Sequence, residues 1–437
     1  MKAAADRLER IWVAPAPLTT APAVTAPRRL SFDRVGNAIL WPLAVLLVFH
    51  RIFILAVNGD TTDDFSTVHA AVRRFLDGVP VYNEIYHHVD PHYLYTPGAT
   101  LLLAPLGMVP GFELARMGFV LVNGAAIIAA LALLTRLFSF SLRSLVWPAA
   151  ITLAFLTESV RNTLVFSNIN GVLLLALVGF LWLLLRDRLW AAGLVLGLAI
   201  LVKPMFLPLL FLPLVKLQWR AVLGGLAVPV IFNVVAWPLV PGANDYLTRL
   251  VPYLGEVRDY ANSSLAGMAV YFGMPAALET FWFLVFVAFG VVGGLTLLRW
   301  RYTDPLLWAT STAGLLLTGV FLLSSLGQMY YSMMLFPWLF TVLLRRSVFH
   351  AWPAWVAVYL FLSPDEWFSQ RWVDYGRWAS FFNPTVGWAL LVLVAAVVAV
   401  SWFLAQRRGG ADGPGPGRRQ AVAGKNSGAD AVAPGRN

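Results

Sequence analysis

Twelve apolar runs, joined alternately by short basic connections and longer acidic ones, constrain this chain more than any other feature. They fall at about 36–57, 113–135, 145–158, 169–185, 189–202, 205–216, 221–240, 277–298, 305–324, 329–344, 348–363 and 386–404. A straight helix needs ~20 apolar residues to cross the hydrocarbon layer, and several runs fall short. Runs 145–158, 189–202 and 205–216 therefore read as broken or re-entrant helices. With 59% hydrophobic residues, 12% charged residues and a mean hydropathy of +0.72, a water-soluble fold could not hide the apolar surface. The expected fold class is an all-α polytopic membrane protein with about 12 transmembrane helices, roughly 10–13.

The charges orient those helices. If the N-terminal side is cytoplasmic, the inner connections and the two termini carry 22 of the 32 basic residues, with at least a basic pair in every inner connection. The outer segments and the helices carry 15 of the 22 acidic residues, so the positive-inside rule puts both termini in the cytoplasm and the acidic face outside. The net charge of +10 is scattered singly and in pairs rather than gathered on one face, which argues against nucleic acid as a partner and for the lipid bilayer. Cysteine is absent, so disulfides and thiolate metal sites are excluded.

Organisation follows from composition. Residues 1–35, rich in Ala and Pro, and 405–437, rich in Gly, Pro and Ala, read as disordered cytoplasmic extensions of a membrane unit spanning 36–404. Three outer connections are long: 58–112, 241–276 and 364–385. Long connections in a compact fold are usually working parts. In the first, residues 63–77 put Phe65, Val68, Val72 and Phe75 on one helical face, which predicts an amphipathic helix in the membrane interface with Arg73 and Arg74 on its wet side. Asp63 and Asp64 open that helix. Thr61 and Asp64 have capping-box spacing, so either acid can serve simply as a cap. A carboxylate at the membrane edge beside His69, Asp90, His92 and the nearby Arg51 is also a candidate for chemistry.

The stretch NGDTTDDFSTVHAAVRRFLDGVPVYNEIYHHVDPHYLYTPGATLLLAP (58–105) resembles the first outer loop of GT-C type glycosyltransferase family 87, through Asp64-Phe65, Gly78, Tyr82 and Tyr95-x-Pro97. NTLVFSNINGVLLL (162–175), LVKPMFLPLLFLPL (201–214), RDYANSSLAGMAVYFGMP (258–275) and SLGQMYYSMMLFP (325–337) are similar to arabinofuranose-transferring members of that family. The resemblance implies a GT-C fold, a decaprenylphosphoryl-arabinofuranose donor, an arabinan acceptor, inversion in one displacement, and no cofactor. It assigns Asp64 as the base, with Asp63 second or orienting it.

A departing lipid phosphate needs cations or donors. Lys203, followed by Pro204, is either a snorkelling lysine or, as the resemblance implies, a phosphate ligand. Arg258 is a second phosphate candidate or an ordinary surface arginine beside Asp259. Arg51 would hold Asp63 or Asp64 ionised, or form a structural salt bridge. Sugar hydroxyls suit the amides and phenols of Tyr95, Asn168, Asn170, Asn262, Gln328 and Tyr330, joined by His69, Asp90 and His92, although Asn and Gln at helix ends are also caps. His50, Asp90 and His92 lack tight ligand spacing, so a metal-independent reaction is expected. A mannose-transferring relative and a transporter of prenyl-linked precursors are the alternatives. The absence of a visible internal repeat and the gathering of acids in one outer loop oppose the transporter.

Overall fold

The computed structural model describes residues 12–14, 17–18, 30–58, 64–86, 91–364 and 366–411, and all regular structure among them is helical. The principal α-helices are α1 (Leu30–Phe49), α2 (Asp64–Leu76), α3 (Pro97–Leu103), α4 (Phe112–Leu137), α5 (Val146–Leu156), α6 (Glu158–Val165) and α7 (Asn170–Leu184). They continue with α8 (Leu189–Val202), α9 (Trp219–Ala236), α10 (Leu265–Phe272), α11 (Ala276–Leu297), α12 (Pro305–Leu323), α13 (Trp352–Leu362) and α14 (Val373–Ala411).

Among the described residues, six spans are long and apolar enough to cross a bilayer: Asp33–Ala56, Phe112–Leu137, Trp219–Ala236, Ala276–Trp300, Pro305–Leu323 and Val373–Arg407. The other apolar runs form shorter helices or broken ones. Pro204–Leu214 and Met329–Leu343 alternate 3-10 and α turns, because Pro208, Pro213 and Pro337 each remove a donor from the ladder. Asp63, Asp90 and most of the two terminal extensions lie outside the described residues. At the described edges, helix already begins at Leu30 and runs on to Ala411.

Small residues set the tightest packing. Gly193 and Gly197 on α8 face Ala221, Gly224 and Val228 on α9, and a Cβ at Gly193 would stand 2.5 Å from the Ala221 carbonyl. In a membrane, where burial of apolar side chains gives little, such close backbone approach is what holds helices together.

The three long connections meet at one end of the bundle. Val81 N–H donates to Pro241 O at 3.0 Å, the Ser263 hydroxyl donates to Phe381 O at 2.7 Å, and Arg161 pairs with Glu366 at 3.1 Å. Helix α2 differs from expectation here. Phe65 and Val72 are fully buried, and Phe65 packs on Phe119 at 4.8 Å and Phe112 at 5.8 Å, so its apolar face lies on protein rather than lipid. Arg73 is exposed, but Arg74 is not on the wet side; it turns inward onto Glu84 at 2.6 Å.

Candidate active site

Asp64 is the first residue of α2, and its N–H donates to Phe166 O at 2.9 Å, so the acid is docked on the segment leaving α6. That segment turns sharply at Ser167, whose φ is 51°, and enters α7 with Asn168 Oδ1 accepting the Asn170 N–H at 3.0 Å. Across from it, α8 stops at Val202. The residue before a proline disfavours helix, and Lys203 is extended (φ −136°, ψ 107°) ahead of Pro204. This directs Lys203 Nζ onto Asn170 Oδ1 at 2.8 Å, with the Tyr331 ring centroid 4.9 Å away and that of Tyr330 at 5.8 Å. The Tyr330 hydroxyl donates to Asp64 Oδ2 at 3.4 Å.

Asp64, Ser167 and Asn168 also border a small opening. It is a cavity of about 10 Å³, the scale of a single water, lined by Asp64, Tyr95, Ser167 and Asn168 with apolar neighbours. The Asp64 charge is felt by Lys203, Tyr95, Tyr330 and Tyr331, and the Arg258 charge by Tyr330 and Tyr331. Burial first, and then the Asp64 charge, push the Tyr95 phenol well above its ordinary value, so it is a neutral donor. The buried amide nitrogens of Asn168 and Asn170 have no partner among the described residues. Buried donors are nearly always satisfied, and two idle ones beside an ammonium are suited to an anion or a ring of hydroxyls.

Not every candidate joins this cluster. Arg51 donates from Nε to Phe155 O at 3.1 Å and has Glu158 and Arg161 as charged neighbours. It stands in the π-helical turn His50–Ala56 at the end of α1, whose side-chain phase differs from that of a regular helix. His69 packs between Phe65 and Phe112, where burial and Arg73 lower its pKa. His92 binds Glu84 through Nδ1 at 3.3 Å and stacks with Tyr86 and Tyr253. Asn262 is fully committed: its amide donates to Arg258 O and Ser325 O, while its oxygen accepts from Ser264 and Gly327 N–H. It ties the second long connection to the turn before Gln328, which is half-buried. Among the described residues, no three His, Asp or Glu side chains are grouped as a metal site.

Tyr331 and Ser167 escaped the sequence reading. The doubled Tyr330-Tyr331 was the available signal, since adjacent residues on a 3-10 turn can both face one centre. Arg116, buried on α4, was also missed; it donates to Val57 O and Val165 O at 3.4 Å each, joining the segments on either side of the opening.

A carboxylate facing an ammonium, idle amides and neutral phenols can deprotonate an alcohol on one side and receive an anion on the other. The comparisons with known proteins agree with such chemistry. The family described as Glycosyltransferase family 87 matches residues 93–325. An alpha-(1→3)-arabinofuranosyltransferase of Corynebacterium glutamicum is 62% identical over 390 residues, covering 89% of this chain and 93% of the relative. One of Mycobacterium tuberculosis is 48% identical over 370 residues, 84% of this chain and 85% of the relative. A polyprenol-phosphate-mannose-dependent alpha-(1-2)-phosphatidylinositol pentamannoside mannosyltransferase of Mycolicibacterium smegmatis is 27% identical over 391 residues, 81% and 88%. A chain whose described residues are helical, with membrane-length helices and with such relatives along most of its length, is a membrane glycosyltransferase, and it belongs to glycosyltransferase family 87.

Proposed function

We propose that the protein transfers arabinofuranose from decaprenylphosphoryl-arabinofuranose to a 3-hydroxyl of arabinan, forming an α-(1→3) branch in the cell wall. The observation that carries this reading is the Lys203–Asn170 couple against the rings of Tyr330 and Tyr331, with the Tyr330 hydroxyl bonded to Asp64. In the proposed step Asp64 removes the proton of the acceptor hydroxyl as its oxygen attacks the anomeric carbon from the face opposite the phosphate. The bond from that carbon to the phosphate oxygen breaks, the configuration inverts, and the polyprenyl phosphate leaves with the bonding electron pair. Lys203 and the idle amides of Asn168 and Asn170 receive the charge, with Arg258 as a second cation. Tyr95, Tyr330 and Gln328 hold sugar hydroxyls. Asp63 and Asp90 adjoin this region in the chain.

The same reading makes residues 36–404 a GT-C unit of about 12 crossings, with shorter helices completing spans that the six long ones begin. The Asp64 end faces outward, and both termini lie in the cytoplasm, because Arg136, Arg143, Arg186, Arg188, Lys216 and Arg220 occupy the connections at the other end. A lipid-borne donor suits an outward site, where nucleotide sugars are absent. The rival is transfer of mannose from a polyprenyl phosphate, which Asp64 and Lys203 would serve equally. The arabinose reading is favoured by identities of 62% and 48% against 27%.

Purified full-length protein incubated with synthetic polyprenylphosphoryl-arabinofuranose or -mannose and an oligo-arabinofuranoside tests this directly. An α-(1→3)-arabinofuranosyl product by NMR is expected. Transfer of mannose alone, or of neither sugar, overturns it.

A further inference from the structure

We infer that the third long connection carries a glycan platform which holds the acceptor polymer beyond its reacting unit, an inference that rests on the arabinan reading above. Helix α14 has 39 residues, whereas its apolar run covers only 386–404. At ~1.5 Å per residue the segment 373–385 extends the helix by roughly 20 Å, well past the ~6 Å headgroup layer on each face of a bilayer. The chain before it folds back against this projection. Gly376 has no Cβ where the Trp367 carbonyl crosses, and any side chain there would collide with it. Ser380 Oγ accepts the Trp367 N–H at 3.2 Å and donates to Gly376 O at 3.0 Å, and Ser369 Oγ accepts the Trp372 N–H at 2.9 Å.

The result is a built hollow of about 360 Å³ lined by Trp367, Phe368, Ser369, Val373, Arg377 and Phe381. Phe368 is 91% exposed and Trp367 38%. Arg377 is exposed and has no hydrogen-bond or ion-pair partner among the described residues. Aromatic faces against water, with a guanidinium fork and the Ser369 hydroxyl proton at the edge, match the alternating C–H faces and hydroxyls of an uncharged saccharide. The volume lies in the ~300–1,000 Å³ range of small-ligand sites.

Continuity with the catalytic opening selects the acceptor as occupant. Phe381 meets the Tyr260 ring edge-on at 6.1 Å, and Tyr260 belongs to the second long connection, two residues beyond Arg258. Ser263 and Thr385 lock the two connections together, with bonds of 2.7 Å to Phe381 O and 2.6 Å to Ser263 O. On the other side, Glu366 pairs with Arg161 of α6, the helix that delivers Ser167 and Asn168. A polymer presenting one hydroxyl to Asp64 must lay its remaining units somewhere, and these bonds fix the hollow to the second long connection and to the helix that leads into Ser167 and Asn168.

The test compares a di- with an octa-arabinofuranoside as acceptor for full-length wild type, Trp367→Ala, Phe368→Ala and Arg377→Ala. The octasaccharide KM should rise roughly 10-fold in the variants, with the disaccharide and donor KM values unchanged. Isothermal titration of the octasaccharide onto Asp64→Asn protein, with and without Trp367→Ala, supplies a readout independent of turnover, and about 10-fold weaker binding is expected. If arabinose is not transferred but octasaccharide binding still depends on Trp367, the platform stands and the transfer reading falls. If transfer occurs and neither long-acceptor KM nor binding responds, the platform falls alone. Variants that alter only association with phospholipid vesicles or thermal stability in them would make the surface a bilayer contact and overturn the inference.

Discussion

Two polar clusters share the first long connection, and they differ in what their groups have left to offer. Around Glu84 the acid itself is engaged: its carboxylate accepts from Arg74 at 2.6 Å, from the Tyr93 N–H at 3.2 Å, and meets His92 at 3.3 Å, while Arg74 Nε and the Tyr86 hydroxyl are buried without a partner among the described residues. Tyr82 donates to Tyr95 O at 2.9 Å, Tyr93 bonds Thr100 at 2.8 Å, and burial raises both phenols. Tyr246 and Tyr253 of the second connection close it with ring contacts. Around Asp64 stand the same residue types, an acid, a cation and tyrosines, but Asp64 and Asn168 border a cavity, and the buried amides of Asn168 and Asn170 are idle. An acid tied to a buried arginine and a backbone N–H stiffens a loop, whereas one that borders a cavity is placed to meet a ligand.

Asp64→Asn gives the sharpest separation. It keeps the shape and the backbone bond to Phe166 O but removes the proton acceptor, so kcat should fall about 10²–10⁴-fold, with thermal unfolding little changed. Retained turnover in the purified protein would remove Asp64 as base and erase the distinction between the clusters. Lys203→Met comes next. Loss of a charge-assisted contact to phosphate costs ~1.5–3 kcal/mol, so donor KM should rise roughly 10- to 100-fold, with acceptor KM constant. Unchanged donor KM would leave Lys203 as packing against Tyr331.

Glu84→Gln should do the reverse. It leaves the largely buried Arg74 short of a counter-charge, and should cost ~1–3 kcal/mol of stability. Turnover per folded molecule should be preserved. If instead kcat/KM falls with stability intact, the knot takes part in the reaction and the contrast fails.

Much of this was legible in the chain. The run 113–135 became Phe112–Leu137 and 305–324 became Pro305–Leu323, because helices apolar all round are marked by length and ends alone. Lys203-Pro204 was readable for the same local reason: proline fixes where the helix stops and so where the lysine emerges. What could not be read depends on partners distant in sequence. Asn262 looks like a sugar ligand until Ser325 and Gly327 are seen to take its amide. Arg51 looks like a partner of the acids until it is seen to donate to Phe155 O. His92 and Asn170 are equivalent as letters; only the fold decides that one meets Glu84 and the other Lys203.

The smallest expected effect separates the clusters by pH. His69 sits on α2 just beyond Asp64, with Nε2 buried and unpartnered among the described residues, and with Phe65 and Phe112 against its ring. Burial, and secondarily Arg73, depress its pKa below 6.5, so the native state favours the neutral imidazole. The unfolded chain then binds the proton first. Its contribution to stability is present above pH 6.5 and is lost as pH falls from there through the lower folded value. His69→Phe removes that titration and keeps the aromatic packing, so its melting temperature should decline less than wild type as pH drops from 6.5 to about 5. Activity at neutral pH should be unaffected, because His69 is not part of the opening. A neutral-pH loss of turnover in His69→Phe would enlarge the reactive cluster by one residue and bring α2 into the chemistry along its length.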